Sequence, residues 1–149
     1  MSTPHPGCLF CEIAAHTRAA DIVSEDADSV AFLDSHPLFH GHVLLCPREH
    51  FETLMDVPSA HAGPLFLKTQ QIARAVETAL GADGTFIAVN NRVSQTVPHL
   101  HIHIVPRRRR DGLRGFFWPR HHYKDDSTRQ QIRDAIAREI STAIDKADS

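Results

Sequence analysis

The apolar positions of this chain follow two rhythms, one of period two and one of helical spacing. Over residues 99–105 the alternation is strict, His99-Leu100-His101-Ile102-His103-Ile104-Val105. A β-strand here carries three imidazoles on one face and buries Leu100, Ile102 and Ile104 on the other. Short apolar or alternating runs between turn residues place four more strands at 22–25, 29–34, 42–46 and 85–89. The acidic turn at Asp26 to Asp28 joins the first two. Leu65, Ile72, Val76 and Leu80 recur at helical spacing, with Gly81 as the stop and Pro64 in the first turn of a helix starting between Ser59 and Gly63. A last helix is expected over 127–146. Its Ser127-Thr128-Arg129-Gln130 has the form of a capping box, and Ile132, Ile136, Ile140 and Ile144 line one stripe. Residues 8–15 suit a short helical turn, and 48–54, which lack alternation, suit a single one.

Five strands and two main helices in 149 residues predict one α+β domain built on an antiparallel sheet. Residues 1–7 read as a flexible N-terminus ahead of a domain spanning 8–149. Within that domain, 107–126 form a loop holding Gly115-Phe116-Phe117-Trp118-Pro119. A connection of that length without periodicity is expected to act as a lid or to lie under a partner. No apolar run approaches the roughly 20 residues that span a bilayer. The first residues also lack the basic and apolar regions of a signal peptide, so a cytoplasmic location and no membrane partner are expected.

Composition adds an asymmetry of charge. The net charge is −2, yet residues 107–124 carry +6 and the remainder −8. The Arg107-Arg108-Arg109-Arg110 run is either an attractor for an anionic ligand such as a polyphosphate or a solvated loop. Nucleic acid is disfavoured, because no stacking aromatics interleave the arginines. Three cysteines are too few for a disulfide scaffold: Cys46 reads as a small core residue, and Cys8-x-x-Cys11 as a metal-binding or free thiol pair.

The three in-register histidines are close enough to converge on one phosphate or one metal. Together with His50 after Cys46-Pro47-Arg48, and Gln95-Thr96-Val97-Pro98 before the alternating run, they make residues 8–107 resemble the histidine triad (HIT) family. Phe32-Leu33-Asp34, Gly41-His42 and Asn90-Asn91 belong to the same resemblance, and residues 116–123 with the last helix are similar to the longer bacterial members. The resemblance implies a single HIT-like domain with a five-stranded antiparallel sheet, one long central helix and a C-terminal helix. It also implies a homodimer meeting edge to edge or through the long helix, with Phe116, Phe117 and Trp118 reaching toward the partner.

For chemistry, the resemblance implies a nucleotide hydrolase or transferase acting at the α-phosphate of a small-molecule conjugate, such as an adenosine phosphoramidate or a dinucleoside polyphosphate. His101 would be the nucleophile, with His99, His103, Gln95 and Thr96 completing the catalytic set. A neutral imidazole suits that role near pH 7, and aimed donors suit a transition state that spreads negative charge over oxygens. Asp34 would bind the ribose diol, and Asn90 or Asn91 the sugar-phosphate. Leu9, Phe10, Ile13 and Phe32 read either as base pocket or as plain core. Cys8, Cys11, His50 and His99 would form a closed, structural zinc site. Two other readings stay open: a non-catalytic purine-nucleotide-binding or scaffold protein, and a zinc hydrolase whose strand histidines hold an open metal.

Overall fold

The computed structural model describes residues 5–113 and 120–147, with side chains as far as residue 143 in the last helix. Two compact units divide at Asp111. The first holds α1 (Leu9–Ala14), β1 (Ile22–Glu25), β2 (Ser29–Leu33), β3 (Val43–Pro47), α2 (Ser59–Leu80), β4 (Gly84–Ala88) and β5 (Ile102–Arg107), and the second holds α3 (Asp126–Ala147). The sheet order is β1-β2-β3-β5-β4, with every pair antiparallel.

Alternation explains how the two faces of this sheet are filled. Ala31, Val43, Leu45, Leu100, Ile102 and Ile104 point one way and pack on Leu65, Ile72, Ala73 and Val76 of α2. Leu100, Ile102 and Ile104 are fully excluded from solvent, as the period-two pattern predicts. Burial on this scale contributes roughly 1.5–3 kcal/mol per large aliphatic side chain. Val30, Phe32, Leu44 and Cys46 point the other way, onto Phe10, Cys11, Ile13 and Ala14 of α1. The histidines share this second face. The acidic turn is closed by Asp26, whose carboxylate accepts from the N–H of Asp28 (3.0 Å) and of Ser29 (2.8 Å) and pairs with Lys68 of α2 (3.0 Å).

Several boundaries differ from the sequence reading, each for a local reason. Helix α2 begins at Ser59 behind Pro58, so Pro64 lies inside it and not in its first turn. The apolar signal starts only at Leu65 because the residues before it are largely exposed. Strand β5 starts at Ile102, because the N–H of Leu100 turns to the Phe51 carbonyl (2.6 Å) and that of His99 to the Val97 carbonyl (2.8 Å). In place of a helical turn within 48–54, a single 3-10 turn forms at Leu54–Asp56. There the Asp56 carboxylate accepts from both the N–H and the hydroxyl of Thr53 (2.8 and 2.7 Å). At α3 the capping carboxylate is Asp125, which accepts the Thr128 N–H at 2.7 Å, so Ser127 is not the cap. Ile132, Ile136 and Ile140 do fall along that helix, and all three are exposed. Phe116, Phe117 and Trp118 lie outside the described residues.

The basic run after β5 has defined partners. The Arg107 guanidinium pairs with both carboxylate oxygens of Asp111 (2.5 and 2.9 Å). Arg108 donates to the carbonyls of Leu80 and Gly81, the unsatisfied acceptors at the C-terminal end of α2. The Arg109 N–H is held by Asp83 at 2.8 Å. Arg108 is therefore committed to tying the segment after β5 to the end of α2.

Candidate functional site

Residues 99–103 bring three imidazoles to the sheet face that α1 partly covers. His99 and His101 are buried and His103 is half-buried. The rings of His101 and His103 lie 4.9 Å apart, and Phe10 of α1 meets His101 edge to face at 5.0 Å.

Backbone atoms decide which nitrogen of each ring carries hydrogen. Nδ1 of His101 is 2.7 Å from the His99 carbonyl oxygen, which can only accept. Nδ1 therefore donates, and Nε2 is left with its lone pair. At His42, just before β3, the Leu38 N–H donates to Nδ1 at 3.2 Å, so Nε2 bears the hydrogen. That Nε2 lies 3.0 Å from Nδ1 of His103 and donates to it, leaving His103 with Nε2–H as an outward donor. His99 donates from Nε2 to the Pro47 carbonyl at 2.8 Å, which turns its Nδ1 lone pair toward the cysteines. The rings are also held neutral. Burial lowers His101 and His42, and burial followed by the proximity of His101 and His42 pushes His103 down to about 4. The Asp34 carboxylate, 3.7 Å from Nδ1 of His42, opposes these shifts without cancelling them. The outcome is a lone pair on His101 beside an N–H donor on His103.

A second cluster lies at the other end of the same segment. One ligand atom from each of Cys8, Cys11, His50 and His99 lies within 4.8 Å of every other. Nδ1 of His99 is 3.3 Å from Sγ of Cys8 and 3.5 Å from Sγ of Cys11, while Nδ1 of His50 is 3.4 Å from Sγ of Cys11. A tetrahedral zinc ion with Zn–S of about 2.3 Å and Zn–N of about 2.05 Å spaces its sulfur and nitrogen ligands about 3.6 Å apart. The donors are thus nearly at coordination spacing. Orientation of the His99 ring by the Pro47 carbonyl is the kind of outer contact that fixes a metal-binding tautomer. Burial pushes the Cys11 thiol up to about 11, and a cation at the centre would supply the charge that thiolates need.

The remaining sequence candidates are placed less directly. Asp34 accepts the His36 N–H at 2.9 Å on one carboxylate oxygen and turns the other toward His42. Gln95 is held in its loop, donating to the Glu52 carbonyl (2.7 Å) and accepting the Arg92 N–H (2.7 Å). Thr96 is exposed. Asn90 donates to the Ser94 carbonyl at 3.2 Å, and Asn91 accepts the Leu54 N–H at 2.9 Å, which ties it to the 3-10 turn. Phe10, Ile13 and Phe32 sit in the core and Leu9 packs against it. The sequence reading assigned no role to His42. Its sequence signals are its place in the resemblance, as Gly41-His42, and its position as a polar residue heading the apolar run of β3. A cavity of about 680 Å³ opens beside Leu80 and Pro106 at the end of α2, and no histidine of the triad lines it.

A family model described as "HIT domain" matches residues 16–110. Over 146 residues the chain is 33 % identical to the adenylylsulfatase HINT3 of Arabidopsis thaliana, covering 93 % of this chain and 72 % of that protein. A crystal structure of a Streptococcus mutans protein superposes with a TM-score of 0.81 at 36 % identity, covering 94 % of this chain and 89 % of the other. A zinc-bound histidine triad family protein from Mycobacterium smegmatis gives 0.69 at 34 % identity, covering 91 % and 97 %.

Proposed function

The chain belongs to the HIT domain family, and on that premise we propose that it is a nucleotide hydrolase or transferase in which His101 attacks an α-phosphorus. The observation that carries this reading is the hydrogen bond from Nδ1 of His101 to the His99 carbonyl, which leaves an uncharged Nε2 free to attack. In the first step an N–P bond forms as the bond from phosphorus to the leaving group breaks, and that group departs with the electron pair. Nε2–H of His103 stands ready to hydrogen-bond a nonbridging oxygen of the phosphate as charge builds there. In the second step water, or another acceptor, attacks the same phosphorus, the N–P bond breaks, and the electron pair returns to Nε2 of His101.

An adenosine phosphoramidate or a dinucleoside polyphosphate fits this chemistry, and so does an adenylyl sulfate, on which the Arabidopsis relative acts by its name. In this reading Asp34 would accept the ribose hydroxyls, and Asn90, whose longer bond stays within its own loop while Asn91 is tied to the 3-10 turn, would meet the sugar-phosphate. Cys8, Cys11, His50 and His99 would hold a structural zinc ion, which, when bound, cross-links α1 to the triad segment without activating water. Four protein donors close such a site, which favours the nucleophile mechanism over an open-metal hydrolase. A homodimer, meeting edge to edge or through the long helix, completes the reading.

Native mass spectrometry after mixing with adenosine phosphoramidate tests the reading. The wild-type chain is expected to gain one adenylyl group and to lose it on standing. His101→Ala is expected to gain none. An adduct that persists in His101→Ala, or turnover unchanged by that substitution, would end the proposal.

A further inference from the structure

Ahead of α1 the chain reverses at Gly7, whose φ of +75° is a conformation that glycine adopts without a Cβ penalty. The reversal is fastened by the Cys8 N–H, which donates to the His5 carbonyl at 3.1 Å. It lays the exposed His5 ring flat on His50, with centroids 4.3 Å apart and planes 16° from parallel. His50 in turn offers Nδ1 to Sγ of Cys11 at 3.4 Å. The residues before α1 therefore cover one of the four converging donors, His50, although the His5 ring is not itself a donor of the set. An exposed ring stacked on a ligand serves no core packing, and the proposed reaction gives it no task.

We propose that His5 is a positioning residue for the Cys8–Cys11–His50–His99 centre, its ring holding His50 with Nδ1 aimed inward and covering the centre against ligand exchange. This inference rests on the reading of those four residues as a zinc site. An aromatic stack of this kind is worth roughly a three- to tenfold change in an equilibrium. Outer contacts to metal-ligating histidines act in the same sense.

The test uses the full chain loaded with zinc, together with His5→Ala, His5→Phe and Gly7→Ala. Zinc transfer to 4-(2-pyridylazo)resorcinol is followed by absorbance, cobalt(II) replaces zinc for visible spectra, and metal-free samples are melted. His5→Ala is expected to release zinc about fivefold faster than wild type, with His5→Phe within about twofold of wild type because a flat ring is restored. Gly7→Ala, which strains the reversal but keeps the ring, should resemble His5→Ala. The cobalt band should stay at one wavelength in all three variants, and the metal-free melting points of the two His5 variants should coincide with wild type, since the donor set and the fold are untouched. Wild-type release rates in His5→Ala, or release from His5→Phe as fast as from His5→Ala, would overturn the assignment. A wild-type chain that takes up no zinc would overturn the zinc reading itself, an outcome separable from failure of the His5 step alone.

Discussion

Nε2 of His42 lies 3.0 Å from Nδ1 of His103, and the Leu38 amide on the far side of the His42 ring fixes the direction in which the proton is given. A main-chain N–H thereby determines, through two imidazoles, which nitrogen of His103 faces outward as a donor. His42→Phe keeps a ring in place but removes the Nε2–H. By misaiming the His103 donor, it is expected to lower kcat by about 10- to 100-fold, with KM within about threefold of wild type. His42→Gln, whose amide can still donate, should recover part of that loss. Two-bond nitrogen–proton spectra should place the His103 hydrogen on Nε2 in the wild type, and an Nδ1–H tautomer there would refute the relay.

Acid sensitivity follows from the same ring. Burial, then His101 and His42, hold folded His103 near a pKa of about 4, with Asp34 pulling weakly the other way. An unfolded histidine takes up its proton near pH 6.5. Folding therefore excludes a proton between about pH 6.5 and 4, and stability present above that window falls as the pH drops through it. Urea midpoints of the metal-free protein should decline over this range. His103→Gln should decline less steeply, and parallel slopes for the two proteins would contradict the expectation.

Removal of metal should loosen the join between α1 and the triad segment. Chelation of the zinc-loaded chain is expected to lower the melting temperature by roughly 10 °C or more. Cys8→Ser should reproduce that drop without chelator. Calorimetry with and without chelator provides the check, and an unchanged midpoint counts against a structural ion.

Arg108 separates the two readings of the basic run. Its guanidinium donates to the Leu80 and Gly81 carbonyls, so Arg108→Ala is expected to cost about 1 kcal/mol of stability. KM for a dinucleoside polyphosphate should stay within about twofold of wild type. A tenfold rise in KM with stability intact would return this arginine to the anion-binding role.

Periodicity carried most of the fold. The alternation over 99–105 located the histidine face and its buried backing, and helical spacing located α2 and α3. The pattern could not locate where hydrogen-bonded ladders begin. The Leu100 N–H, for example, leaves the sheet for Phe51, a partner 49 residues away in sequence. The site divided along the same line. Cys8 and Cys11 were legible from their spacing and His50 and His99 through the resemblance, and the four do converge. His42 and His5 were not, because their roles arise from a backbone amide and a stacked ring that no spacing encodes. Gln95 was readable as an amide near the triad, but its two loop hydrogen bonds appear only once Glu52 and Arg92 are brought beside it.

The groups that aim the triad are the carbonyls of Pro47 and His99 and the amide of Leu38. Every codon specifies a carbonyl, and every codon but proline's specifies an amide hydrogen. Drift at positions 38 and 47 can therefore alter bulk and polarity while the aim is inherited unchanged, provided the path of the chain is kept. Selection for the aim sees the course of the main chain and, at position 38, whether the residue is proline.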